Sequence, residues 1–183
     1  MSKSISGHFV FTKGHIQFML KSRSASDIIK QRVKSANLDT HSHPTNYKIL
    51  SSKQKKLLAL KIAGRKITRA EYELYIKNIR LDKRRKIAIV EFWNEERKRI
   101  KNGVPTRVWS EEQIRDINNH ARPKHRGKTI QAHHTYSVAK YPHLANRPET
   151  IYPVTPHEHL NGWHGGNYKK SRPGRPIKPI NEF

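Results

Sequence analysis

Residues 131–167 read QAHHTYSVAKYPHLANRPETIYPVTPHEHLNGWHGGN and carry His133, His134, His143, His157, His159 and His164. Packing does not account for such a density of imidazoles. Neutral imidazole binds transition metals, and an ordinary pKa near 6.5 makes histidine the usual general base at physiological pH. The local pattern gives the stretch a shape. Residues 129–132 read as a short extended segment delivering His133 and His134, residues 146–149 as a turn, and residues 150–154 as a second extended run. Thr155 then caps a helix that starts with Pro156 and has Glu158 at its third position, a capping box. The order is strand, loop, strand, helix.

The remainder of the chain reads as support or delivery for this stretch. Its 183 residues make one ordinary domain, or one compact domain with an appendage. Lysine and arginine number 38 against 14 acidic residues, a formal charge of +24. Such a surface attracts phosphate, so nucleic acid is the first partner class and a membrane surface the second. No apolar run approaches the roughly 20 residues that span a bilayer, so membrane insertion is not expected. With no cysteine, neither a disulfide nor a thiolate site can staple the fold, and any metal must use His, carboxylate, amide or backbone ligands. The first residues, MSKSISGHFVF, are too short in apolar content for a cleavable signal peptide.

The expected fold class is α+β, with a basic, mainly helical region over residues 1–103 ahead of a second region over residues 104–183. Within residues 1–24, HFVF and IQFML are the candidate strands of an adaptable arm. A short helix follows over residues 24–37, with Ser24 or Ser26 as cap, and His41-Ser42-His43-Pro44 reads as a solvated turn. A basic helix begins near Ser52 and stops near Gly64, and Thr68 with Glu71 forms a capping box for the next. Tyr72, Tyr75, Ile76 and Ile79 form a helical stripe that Ile87, Val90 and Trp93 resume after a basic knot, so residues 68–101 are one long helix or two. Ser110 with Gln113 starts a further helix, residues 124–128 read as a basic loop, and residues 169–183 are too rich in Pro, Lys and Arg for a regular element. The basic groups Lys83, Arg84, Arg85, Lys86, Lys124, Arg126, Lys128 and Arg172 are candidate phosphate contacts, against the plainer reading of solvated charge.

Paired histidines, Ser137-Val138, Pro142 to Ala145, Val154-Thr155, Glu158-His159-Leu160 and His164 to Asn167 fall in an order that resembles the ββα-metal (HNH-type) nucleases. Within them the stretch is similar to the GHH subgroup, found as C-terminal toxin domains of bacterial polymorphic toxins, LXG-like toxins among them. The resemblance covers roughly residues 108–176. It implies a ββα-metal motif in residues 104–183, one divalent ion, His133 as metal ligand, His134 as general base, and His159 and His164 closing the metal site. Mg²⁺ or Mn²⁺ suits turnover, whereas Zn²⁺ or Ni²⁺ suits an imidazole set in a structure. Two positions depart from the pattern. Ala132 replaces the name-giving glycine, and Thr150 stands where an asparagine would orient the base, leaving Thr150, Asn146 or a backbone carbonyl for that task.

Two geometric demands follow. Adjacent strand residues point to opposite faces, so bringing His133 and His134 to one cleft calls for a bulge or twist at the strand end. Residues five apart lie about 140° apart around an α-helix, so His159 and His164 meet only if the helix breaks at Gly162; otherwise His157 or a water fills the position.

The expected function is a metal-dependent, weakly sequence-selective endonuclease toxin, cutting DNA in preference to RNA. It would be delivered by a bacterial secretion system, act in the target-cell cytoplasm, and be restrained by an acidic immunity protein. An RNase of the same fold, a non-catalytic nucleic-acid-binding protein with a structural metal, and a basic membrane-surface effector are the alternatives.

Overall fold

The computed structural model describes residues 23–183. The candidate strands of the N-terminal arm lie outside the described residues. Four α-helices, α1 (Ala25–Ser35), α2 (Ser52–Ala63), α3 (Arg69–Lys101) and α4 (Glu111–Asn118), precede two small antiparallel hairpins. The first hairpin pairs β1 (Lys124–His125) with β2 (Lys128–Thr129); the second pairs β3 (Gln131–His134) with β4 (Ile151–Val154). A π-helical turn over Glu158–Trp163 completes the order. The α+β class holds, with helices dominating the N-terminal part.

Local chemistry sets the helix starts. Ser24, Ser51, Thr68 and Ser110 each accept a hydrogen bond from the backbone N–H three residues on, and the last three form full capping boxes with Gln54, Glu71 and Gln113. These bonds satisfy N–H groups that the first helical turn leaves without partners. Helix α3 is one unbroken helix of 33 residues. The basic knot does not interrupt it, because Lys and Arg are good helix formers and their charges reach water. Residues 124–128, expected as a loop, form the first hairpin, with Arg126 and Gly127 at φ 48° and 74° in its turn. Positive φ at both turn positions suits the twist of a two-residue hairpin.

The buried stripe of α3 is not the one its aliphatic spacing suggests. Tyr72, Ile79, Ile87 and Val90 face solvent, while Asn78, Leu81, Ala88, Phe92, Trp93 and Glu96 point inward. Buried Glu96 explains part of this orientation. Its carboxylate accepts the Thr106 backbone N–H at 2.7 Å, Trp109 Nε1 at 2.7 Å and Arg99 Nε at 2.8 Å, tying the end of α3 to the loop before α4. The Asn78 side chain likewise accepts from Leu50 N at 2.8 Å.

The β3–β4 hairpin lies between two apolar clusters. Residues directly opposite one another share a face. Ala132, His134 and Ile151 lie on the side of α3, where Ile151 packs with Phe92, Trp93, Trp109, Ile117 and Ile130. Gln131, His133, Tyr152 and Val154 lie on the other side, where α1 supplies Ile28, Ile29 and Val33 and the π-turn supplies Trp163. All four β4 residues are therefore buried. Fully burying an aliphatic or aromatic side chain contributes about 1.5–3 kcal/mol. Helices on the N-terminal side of residue 103 thus cover both faces of a hairpin on its C-terminal side.

The C-terminal segment, expected to form no regular element, is folded back over the site. Gly174 N donates to Thr135 O at 3.0 Å and Lys178 N to Gly162 O at 2.9 Å, and the Phe183 ring stacks on His125 with centroids 4.9 Å apart.

Candidate active site

His133, His159 and His164 come together: one ring nitrogen from each lies within 4.8 Å of the others. His133 is supplied by β3 and is buried, packed against Trp163 at a centroid distance of 4.8 Å. The π-turn supplies the other two. His164 N donates to His159 O at 3.1 Å, an i→i+5 bond that stacks residues five apart on one face. The helix does not break at Gly162, as an α-helical reading requires; the widened turn continues to Trp163 and solves the spacing. Gly162 serves close packing instead. A Cβ there would sit 3.2 Å from Lys178 O and 3.5 Å from Ile180 Cβ.

Hydrogen bonds fix which nitrogens are free. His159 Nδ1 lies 2.6 Å from Gln131 Oε1, and His164 Nδ1 lies 2.5 Å from Lys170 O. Both oxygens accept, so each Nδ1 carries the proton and each Nε2 keeps its lone pair. His133 Nδ1 is 2.9 Å from His159 Nε2. Burial and the neighbouring charges of His159 and His164 push the His133 pKa well below its ordinary value, and burial, with His164, lowers that of His159 to about 4. His133 and His159 are therefore neutral at pH 7, as metal ligation requires. Ligand nitrogens about 2.05 Å from a tetrahedral ion stand roughly 3.3 Å apart, within small side-chain adjustment of this arrangement. The residues present fit a divalent ion: three clustered imidazoles, two with their second nitrogen tied to an acceptor.

His134 does not join the trio. The β3–β4 register is one-to-one over four pairs, with no bulge, so His134 leaves the opposite face of the strand from His133. The expected distortion is absent because both faces of the hairpin are packed, which holds the strand regular. His134 Nε2 lies 3.2 Å from the Ala145 carbonyl. A carbonyl only accepts, so Nε2 is protonated and Nδ1 is the free base. Burial first, then the Arg85 charge, lowers its pKa to about 4, against the opposing pull of Ala145.

Of the candidate orienters, Asn146 Oδ1 accepts from Arg84 Nη2 at 2.7 Å and the Thr150 hydroxyl donates to Arg147 O at 2.8 Å. The backbone carbonyl that the sequence also left open is the group in contact with His134. His157 is exposed and faces Glu182 at 3.3 Å, and His143 Nε2 lies 3.0 Å from Asp39 O, so neither approaches the trio. Among the basic candidates, Lys83, Lys86, Lys124, Arg126, Lys128 and Arg172 are exposed, whereas Arg84 is spent on His143 O and Asn146. Arg85 is 40% exposed and its Nε is buried without a hydrogen-bond partner.

Two functional contributors escaped the sequence reading. Gln131 stands two residues before His133, so strand periodicity alone puts both on one face; that signal was available. The pairing of Glu158 with Arg107 was not. Arg107 meets the Glu158 carboxylate through two bonds of 2.6 and 2.8 Å across 51 positions, and Glu158 Oε2 also accepts from Thr155 N at 2.9 Å. Burial by itself raises the Glu158 pKa, but the hydrogen bonds and charge of Arg107 prevail and hold it below its ordinary value. The residue that opens the histidine-bearing turn is thus clamped to the loop after α3.

Residues 77–155 match a family described as GHH signature containing HNH/Endo VII superfamily nuclease toxin. Over this span, from within α3 to the cap of the π-turn, the chain is similar to that family of nuclease toxins, and the resemblance read from the histidine-rich stretch is borne out. The match includes His133 and His134 and ends before His159 and His164. No curated protein and no solved structure matches the chain. Among the described residues, no helix is long and apolar enough to cross a membrane.

Proposed function

We propose that this nuclease toxin domain is a metal-dependent, weakly sequence-selective endonuclease that hydrolyses DNA phosphodiesters, with His134 as general base and His133, His159 and His164 as the metal ligands. The observation that carries the reading is the division of histidines at the end of β3: three clustered imidazoles on one face, and on the other a separate imidazole whose tautomer leaves Nδ1 free. A purely structural metal site has no use for the second.

A divalent ion held by the trio would supply Lewis-acid stabilisation of charge on the scissile phosphate and the leaving oxygen. The protein's own groups do the rest. Among the described residues, the edge of β3 away from β4 is unpaired, so a phosphate lying along it has the trio on one side and His134 on the other. His134 Nδ1 takes the proton of the attacking water, while the Ala145 carbonyl holds the ring in the required tautomer and supports the imidazolium that forms. Arg85 contributes its unpaired Nε to the phosphate, and the phosphate charge in turn offsets the Arg85 charge that depresses the His134 pKa. Lys83 and Lys86 on α3, Lys124, Arg126 and Lys128 on the first hairpin, and Arg172 track the backbone. Such contacts carry no base information, which makes selectivity weak.

A toxin of this charge is restrained in its producer by an acidic immunity protein, and secretion-system delivery places its action in the target-cell cytoplasm. The helices within residues 23–103 add phosphate grip to their role as cover for the hairpin.

The test is incubation of supercoiled plasmid and, separately, total RNA with the protein and Mg²⁺ or Mn²⁺, with and without chelator. Plasmid nicking that chelator abolishes is expected. Loss of RNA with intact plasmid makes the enzyme an RNase; cutting that survives in His134→Ala removes the proposed base. That variant is expected to keep metal and DNA binding.

A further inference from the structure

Beside the trio, residues 137–140 and 169–177 line an open groove of about 580 Å³, of which the reading above uses only Arg172. Four cations line it, Lys140, Lys169, Lys170 and Arg172, and no carboxylate does. Its volume is that of a small-molecule site rather than a surface dimple. Ser137, Ser171 and Asn46 add hydrogen-bonding groups, and Ile177 adds an apolar one. Only Arg172 among the cations drew attention in the sequence; Lys140 is distant in the chain and joins the run from Lys169 to Arg172 only through folding of the C-terminal segment.

The groove and the trio are joined covalently and by a hydrogen bond. Lys170 lines the groove, and its carbonyl holds His164 Nδ1 at 2.5 Å. Tyr168, immediately before this basic run, lies against both His159 and His164, with centroid distances of 5.4 and 5.2 Å. An anion in the groove therefore adjoins whatever occupies the metal site. A free phosphate would fill one or the other. The ligand that fills both carries several phosphates in a row.

We infer that this groove holds the phosphodiester backbone of the substrate strand next to the scissile phosphate, with Lys140, Lys169 and Lys170 as its phosphate contacts. The assignment rests on the nuclease reading of the trio, and binding measured in chelator separates the two.

The experiment uses a labelled DNA duplex and an RNA duplex of the same sequence, titrated by fluorescence anisotropy in chelator across a series of salt concentrations. The Lys140→Gln/Lys169→Gln/Lys170→Gln variant is compared with Lys66→Gln/Lys77→Gln/Lys101→Gln, which removes the same charge from exposed positions elsewhere. Each lost phosphate contact lowers the slope of log affinity against log salt by about 0.9 on duplex DNA. The groove variant is expected to lose two to three contacts' worth of slope, and roughly tenfold more affinity than the charge-matched control, on at least one nucleic acid. Losses equal to the control on both overturn the proposal. Circular dichroism melting and a Zn²⁺ titration check that the variant retains the folded trio. If the wild type cuts nothing with any divalent ion, the nuclease reading fails, whatever the binding comparison shows.

Discussion

Replacing Glu158 by Gln tests the link between the buried ion pair and the histidine-bearing turn. Glu158 and Arg107 side chains are only 2% and 3% exposed and meet through two bonds of 2.6 and 2.8 Å. Glu158 also accepts the Thr155 backbone N–H at 2.9 Å and the Glu182 backbone N–H at 2.8 Å. Glutamine keeps the shape but loses the charge, and its NH₂ is turned on donors. Arg107 is left charged in the interior, its guanidinium 3.7 Å from the Phe183 ring centroid. Breaking a buried pair from one side costs about 3–5 kcal/mol. For a chain of this size each kcal/mol moves Tm by about 2–4 °C, so a fall of roughly 6–20 °C is expected in a calorimetric or circular dichroism melt. The double variant Arg107→Met/Glu158→Leu is expected to be milder than either single change, since it removes both charges. A Glu158→Gln Tm within about 3 °C of wild type, or a double variant worse than the sum of the singles, refutes this account.

The remaining predictions concern the site. His134 has a folded pKa of about 4 against an ordinary 6.5, so the unfolded chain binds the extra proton first as pH falls. Stability therefore drops between pH 6.5 and 4, by roughly 3 kcal/mol for this group at about 1.4 kcal/mol per unit. Urea melts in chelator at pH 7 and 5 should show about 2 kcal/mol of this group's drop, and His134→Ala should remove that share while the shares of His133 and His159, whose pKa values are also lowered, remain. Glu158, with a depressed pKa, contributes stability above its ordinary 4.5 that is lost only at lower pH, so it does not mask the histidine window. Gln131→Ala frees the ring of His159 and should weaken Zn²⁺ binding about 10–100-fold by calorimetry, with little change in Tm; unchanged affinity removes Gln131 from the site. Gly162→Ala forces the Lys178 carbonyl away from a 3.2 Å contact. Overpacking of this kind costs about 1–3 kcal/mol, and the melt should show it together with weakened metal binding.

The helix starts were legible because they are local. A serine or threonine at Ser51, Thr68 or Ser110 needs only its own chain three residues on. The histidine trio was singled out for a different reason: few residue types bind metals, and His133, His159 and His164 stand in one histidine-rich stretch, of which the family match covers the part up to residue 155. The buried face of α3 was not legible. Ile79, Ile87 and Val90 compete for the core with Leu81, Ala88 and Phe92 at equal helical spacing, and the winner is set by Glu96, whose partners Thr106 and Trp109 lie beyond the helix.

By itself the sequence determined the chemistry of the 131–167 stretch: which imidazoles are present, which strands and caps carry them, and the attraction of a +24 chain to phosphate. Tertiary structure alone decided how those imidazoles divide. The i→i+5 turn aligns His159 with His164, packing on both faces of the hairpin sends His133 and His134 to opposite sides, and the Ala145 carbonyl chooses the free nitrogen of His134. Residue type and short-range hydrogen bonds are properties of neighbouring positions. The pitch of a turn, the face of a strand and the tautomer of a buried ring depend on groups that are distant in the chain and meet only when it folds.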